Sequence, residues 1–188
     1  TATNGPAVAA ADIKDIFVNS GVIDLHGGGR SFALKQDYNS NSAPVIFNSG
    51  TIAVEGAGGS GGMQLAIATH PAAPLPNFFV NSGTIVVTDN TAARDSAGVF
   101  LAWSGKAAFF NSGLIQADYA IKWWQGFYAN SRDTPLSIYN SGELIGAIDL
   151  ATNDANDWCS VLLVNSGTIR GDVVLGFDTL EEYVRNPR

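Results

Sequence analysis

Phe79-Val80-Asn81-Ser82-Gly83-Thr84-Ile85 decides the fold, because its frame returns six times along the chain. Asn-Ser-Gly stands at Asn19, Asn48, Asn81, Asn111, Asn140 and Asn165, and successive asparagines lie 29, 33, 30, 29 and 25 residues apart. Two apolar residues precede each copy: Phe17-Val18, Ile46-Phe47, Phe79-Val80, Phe109-Phe110, Ile138-Tyr139 and Leu163-Val164. A β-type pair closes each frame, as in Val22-Ile23, Thr51-Ile52, Leu114-Ile115, Glu143-Leu144 and Thr168-Ile169. A period of this length marks stacked units, each of which buries its apolar side only against its neighbours.

Counted from the asparagine, position −2 is always apolar, and position +4 reads Ile23, Ile52, Ile85, Ile115, Leu144 and Ile169. Position +3 mixes Val, Thr, Leu and Glu, as an outward column does. The side-chain period is therefore two, and the segments are strands. Asn-Ser-Gly makes the corner between them: glycine accepts φ > 0, and asparagine enters the left-handed region or bonds nearby backbone. Stacked at ~4.8 Å, the asparagines could also bond one another as an amide ladder. A further strand follows in each repeat, clearest at Asp118-Tyr119-Ala120-Ile121-Lys122-Trp123-Trp124, with Tyr119, Ile121 and Trp123 on the inward phase.

The expected architecture is all-β: a right-handed parallel β-helix of about six coils with three strands per coil, the hand taken from coil length. Residues 1–188 form one domain: 1–16 an N-terminal coil or cap, 17–177 the six coils, and 178–188 either a capping helix or the start of a further coil. Length variation falls at two corners, where inserted loops leave the strand register intact.

Of 188 residues, 46% are hydrophobic and 14% charged, which suits a folded domain rather than a disordered one. The net charge of −7 disfavours nucleic acid and anionic membrane as partners. No run approaches the ~18 apolar residues of a membrane span, so no direct insertion of this segment is expected. The single Cys159 excludes an intrachain disulfide.

The run Val164-Asn165-Ser166-Gly167-Thr168-Ile169-Arg170-Gly171-Asp172-Val173-Val174-Leu175-Gly176-Phe177-Asp178-Thr179-Leu180 resembles the repeats of autotransporter passenger domains of Gram-negative bacteria, as do the Asn-Ser-Gly-Thr-Ile copies at 48–52 and 81–85. That resemblance implies a secreted or cell-surface β-helix, attached to the outer membrane through a region not in this chain. It specifies fold and export route and leaves activity open, because such passengers include adhesins, enzymes and stalks.

Several motifs bear on chemistry. Gly56-Ala57-Gly58-Gly59-Ser60-Gly61 matches a dinucleotide fingerprint and Gly58-Gly59-Ser60-Gly61-Gly62 a nucleophile elbow, yet both need a following helix and Met63-Gln64-Leu65-Ala66-Ile67 reads as a strand. His26 and His70 sit at different corners, so no metal or cofactor is expected. Charged outer-face neighbours Lys122 with Asp149 and Glu143 with Arg170 are the catalytic candidates if the chain is an enzyme, and otherwise cross-strand ion pairs. The ligand-binding candidates are Trp124, Phe127 and Tyr128 in one loop, and Asp154, Asp157 and Trp158 in the next. They adjoin small or apolar positions read as outward (Ala66, Phe100, Ala102, Ala120, Ala151), a surface that calls for loop cover, a protein interface or a glycan platform. The functional expectation is an adhesin or interaction module without catalysis, whose partner is a host-surface or matrix glycan or protein, or another copy of itself. The alternative is an extracellular polysaccharide lyase or hydrolase working on the outer face.

Overall fold

The computed structural model describes residues 8–11, 13, 15–35, 45–66, 77–102, 107–123, 136–151 and 161–175. Every strand pairing among them is parallel, and no helix occurs among them, so the chain is a parallel β-solenoid. One sheet takes a single strand from each repeat: Ile16–Asn19, Val45–Asn48, Asn77–Asn81, Ala107–Asn111, Leu136–Asn140 and Val161–Asn165. Its register places asparagine over asparagine throughout.

The other two faces are separate strands in the first three coils, as in Thr51–Gly56 and Gly61–Ala66. They fuse in the fourth and fifth, where Leu114–Trp123 and Glu143–Asp149 each run across the corner, so eleven strands make one bent sheet. The bend is taken by register shifts between Gln116 and Tyr119 and between Tyr119 and Ile121. Opposite them Gly146 holds φ 122, a conformation closed to side chains. Three separate strands per coil is thus corrected to two in these coils.

The two predicted core columns are the core. Ile46, Phe79, Phe109 and Ile138 are buried at position −2, and Ile52, Ile85, Ile115 and Leu144 at +4. Each such aliphatic side chain contributes about 1.5–3 kcal/mol on leaving water. Their counterparts at the two ends, Phe17 and Ile23, Leu163 and Ile169, are only half-buried, because among the described residues a full coil covers them on one side alone. Phe79 and Phe109 stack inside with ring centres 4.6 Å apart.

Asn-Ser-Gly carries the expected amide ladder, but its glycines are there for a different reason. Each asparagine amide donates to the carbonyl of the next, from Asn19 to Asn48, Asn81 and Asn111 at 2.8 Å per step and on to Asn140 and Asn165 at 2.7 Å. The main-chain oxygens of Asn19, Asn48, Asn81, Asn111 and Asn140 each accept from the Ser and Gly amides one coil on, at 2.8 and 3.1 Å in the first step. None of the six glycines has positive φ. Five of them are glycines because coils touch there: a Cβ on Gly83 would overlap the carbonyl oxygen of Gly50, and the same holds at Gly50, Gly113, Gly142 and Gly167, whereas Gly21, in the first coil, would meet nothing.

Two residues on the outward phase are buried, for different reasons. Ala120 is fully buried, because the register shift around it turns it toward the core beside Ile121. Phe100 is buried in a satellite cluster with Phe32 and Ala97, against which Tyr119 packs, and the Arg30 guanidinium lies over Phe32 and Phe100 at 5.6 and 5.7 Å. Trp123 is in the core, as its phase requires. The capping-helix region at 178–188, Trp103 and His70 lie outside the described residues.

Candidate functional site

Trp124, Phe127, Tyr128, Asp154, Asp157 and Trp158 lie outside the described residues, so the loop site read from the sequence has no geometry here. Three other surfaces do.

The first is the corner between the second and third faces. Gly56 to Gly61 is a tight turn whose Ser60 hydroxyl accepts from the Ser31 amide at 3.0 Å and donates to the Ala57 carbonyl at 2.6 Å. Ser60 is buried, which ends its reading as a nucleophile. His26 lies between two carboxylates, with Nδ1 2.9 Å from Glu55 Oε2 and Nε2 3.2 Å from Asp24 Oδ1. Glu55 Oε1 accepts from Asn90 at 2.8 Å, which extends the chain into a third coil. The bond to Glu55, then Asp24, raises the His26 pKa, and the bonds from Asn90 and His26 lower that of Glu55. Both imidazole nitrogens are engaged, so His26 stitches coils rather than standing free as a base.

Asp89 builds the neighbouring loop. Oδ1 accepts from the Thr91 amide and hydroxyl at 2.7 Å each, and Oδ2 from the Asp95 amide at 2.9 Å. Burial works to raise the Asp89 pKa, and the bonds from Asp95 and Thr91 outweigh it and lower it. The loop lifts Arg94, at φ 45, over an open cleft of about 420 Å³. Asn90, Gln116 and Asp118 line it, with Val87, Ala117 and Ile145 as its apolar part. Asp118 is tied back by the Ser96 hydroxyl at 2.6 Å.

The second surface carries the charged candidates. Arg170 Nε donates to Glu143 Oε1 at 2.8 Å, across one coil. Lys122 and Asp149 are register partners, yet the Lys122 ammonium pairs with Asp95 and lies 4.0 Å from the centre of the Tyr119 ring. Asp149 accepts from the Ala151 amide at 3.1 Å. The structure thus brings Glu143 to Arg170 and directs Lys122 elsewhere. Among the described residues no group of three His, Cys, Asp or Glu could hold a metal ion.

The third surface was not singled out from the sequence: the outer face of the Asn-Ser-Gly sheet. Position −1 forms one ladder, Val18, Phe47, Val80, Phe110, Tyr139 and Val164. Position −3 forms a second, Ile16, Val45, Phe78, Ala108, Ser137 and Leu162. None of the twelve is charged. Eight of them stand open, among them Ile16 at 70% exposed, Phe47 at 41% and Val164 at 45%, while Val45, Val80, Ala108 and Ser137 are half-buried. Phe110 and Tyr139 stack on each other at 4.9 Å and 7° between planes, beside a shallow groove of about 200 Å³ rimmed by Ser112, Ser141 and Ser166. The signal was present in the period of two, which sends −1 outward once −2 is inward.

No protein-family model, no curated protein and no solved structure matches this chain.

Proposed function

We propose that this chain is an interaction module of a secreted or cell-surface protein, of the passenger type its repeats resemble, which works by holding a rigid face toward a partner rather than by catalysis. The observation that carries this reading is the uncharged, exposed ladder pair on the Asn-Ser-Gly sheet. Contiguous apolar surface of this kind is uncommon on a monomer unless it is covered in use. The solenoid beneath supplies the rigidity, since every strand of that sheet is locked to its neighbour by backbone pairing and by an asparagine rung. Charged groups on the bent sheet are engaged with one another, at Glu143 with Arg170 and Lys122 with Asp95. Trp124, Phe127, Tyr128, Asp154, Asp157 and Trp158, which lie outside the described residues, stay in the proposal as the ligand-binding candidates read from the sequence.

The test is binding to immobilised matrix proteins and glycans, comparing the native chain with Phe47→Lys/Phe110→Lys and with Trp124→Ala/Trp158→Ala. Loss of binding with an unchanged thermal transition is the expected result. Binding that survives both variants at full strength removes the proposal.

A second reading, an enzyme acting on an extracellular polysaccharide, is favoured by one observation: the polar cleft beneath Arg94, whose volume falls within the range of small-molecule sites. Release of reducing ends or unsaturated products from a panel of neutral and acidic glycans, abolished in Arg94→Ala, would establish it in place of the first.

A further inference from the structure

We infer that the cleft beneath Arg94 binds a neutral, hydroxyl-rich ligand, a sugar ring of a glycan. This names a ligand for the cleft on which the enzyme reading above rests, and it requires no turnover.

The cleft exists because the corner between the second and third faces changes length from coil to coil. In the third coil residues 90–96 form a loop between Thr84–Asp89 and Ala97–Ala102. In the fourth and fifth coils Leu114–Trp123 and Glu143–Asp149 run across the same corner without a loop. The long loop therefore stands beside a bare step. From the third coil come Asn90 and Arg94, and from the next two come Gln116, Asp118 and Ile145. Every segment of these three coils that borders this corner is among the described residues. The volume of about 420 Å³ lies within the ~300–1,000 Å³ of ligand sites.

Arg94 is the residue whose placement needs a reason. It is the one non-glycine residue with positive φ among the described residues, a conformation that L side chains rarely adopt. Such strain persists where the surroundings enforce it, and here Asp89 pins the loop on both sides by accepting from the Thr91 and Asp95 amides. Arg30, Lys122 and Arg170 are engaged by neighbouring coils. The Arg94 guanidinium has no hydrogen bond or ion pair among the described residues.

The other polar groups keep bonding capacity to spare. Asn90 gives its amide to Glu55 and retains its side-chain carbonyl. Asp118 takes both bonds from Ser96 on Oδ2 and retains Oδ1. Gln116 is exposed, with its amide unpaired among the described residues. Free donors and free acceptors thus sit together, beside the apolar Val87, Ala117 and Ile145. A hydroxyl both donates and accepts, so adjacent hydroxyls satisfy a mixed set of this kind, and the C–H side of the ring covers the apolar part.

Charge decides against the other small ligands. Asp89 and Asp118 against Arg94, two negative charges and one positive, leave the cleft with an excess of one negative charge. A carboxylate or phosphate would meet two like charges, on a molecule of net charge −7, and an organic cation would meet the guanidinium. A neutral ligand meets neither repulsion.

Saturation-transfer NMR tests this with methyl β-glucopyranoside and methyl β-galactopyranoside, and with methyl β-glucuronide as the acidic comparator, each titrated to about 20 mM to cover dissociation constants near 1 mM. Saturable transfer to a neutral glycoside, weaker for the glucuronide at an ionic strength of about 0.01 M, is expected. Arg94→Ala should weaken affinity by about tenfold or more and Gln116→Ala by about threefold, as charged and neutral hydrogen bonds differ. Arg170→Ala removes the same charge outside the cleft and should leave affinity unchanged. Circular dichroism of each variant checks that the coils remain. The inference is overturned if no neutral glycoside binds, if the glucuronide binds more tightly, or if binding is unchanged in both Arg94→Ala and Gln116→Ala. Sugar binding without product release keeps this inference and removes the enzyme reading. Sugar binding that persists in Phe47→Lys/Phe110→Lys, while matrix-protein binding is lost, keeps this inference and the interaction reading together.

Discussion

Two corners of the same solenoid face the same geometric problem and solve it in opposite ways. At Asn-Ser-Gly every coil turns with the same three residues, the same amide rung and the same pair of backbone bonds. At the corner between the second and third faces each coil improvises. The first uses His26 and Gly29, the second Ser60 and Glu55, and the third Asp89 holding Thr91 and Asp95. The difference lies in what surrounds the backbone. Coils touch at Gly50 and Gly83, with no room for a Cβ, and the asparagine amides are sealed from water, so an unmatched donor has nothing to bond. The other corner opens to solvent at His26, Glu55 and Asn90, where water takes over a bond that a substitution removes, and only its serines Ser31, Ser60 and Ser96 are sealed.

That contrast can be broken first at Gly83. Gly83→Ala drives a Cβ into the Gly50 carbonyl, and because backbone in register on both sides cannot yield, a loss of at least about 3 kcal/mol is expected by urea denaturation. Gly58→Ala at the open corner meets only the Thr91, Ala93 and Asp89 side chains at ordinary or slightly tight distance, and it should cost under about 1 kcal/mol. Equal losses at the two positions would show that close coil contact does not explain the glycine column.

The asparagine ladder offers the next effect. Asn81 is fully buried, and Asn81→Ala deprives Asn48 of an acceptor and Asn111 of a donor, for a cost of about 2–4 kcal/mol. Asn165 ends the described ladder at an exposed site, accepts from one neighbour only, and on the same substitution should lose under half as much. Thermal melts of the two variants give the order directly.

Smaller again is the pH dependence of the open corner. His26 has a raised folded pKa, so its contribution is complete below the ordinary 6.5 and fades as pH climbs through the folded value. Glu55 has a lowered one, so its contribution is complete above the ordinary 4.5 and fades as pH falls through the folded value. The stability difference between the native chain and Glu55→Gln should therefore peak between pH 4.5 and 6.5 and shrink on both sides. A difference that grows steadily with pH would remove the His26–Glu55 bridge as its source. Last comes Arg170→Ala, which breaks a mostly exposed ion pair and should change stability by no more than about 0.5 kcal/mol at moderate salt.

The strands, their parallel stacking, the −2 and +4 core columns and the asparagine rungs were all legible, because one frame repeated six times and each copy checks the others. The site was less legible for particular reasons. Phe100 stands at an outward position, but Arg30, 70 residues earlier in sequence and two coils away in space, lies over its ring. Lys122 aligns with Asp149 by register and is taken instead by Asp95 from the coil before. Phe47 and Phe110 read as half of an apolar pair preceding the corner, and nothing in a linear pattern says whether a second layer lies over an outward side chain.

By itself the sequence determined the winding of this protein, since like residues at a constant interval can satisfy their backbone and bury their side chains together only by stacking one above another. Only the tertiary structure decided why the corner glycines are glycines, where the second and third faces fuse, and which outward surfaces stay open. Those depend on distances between coils and on cover by residues far away in the chain. Such distances are set by the packing of all the coils at once, and no single repeat contains them.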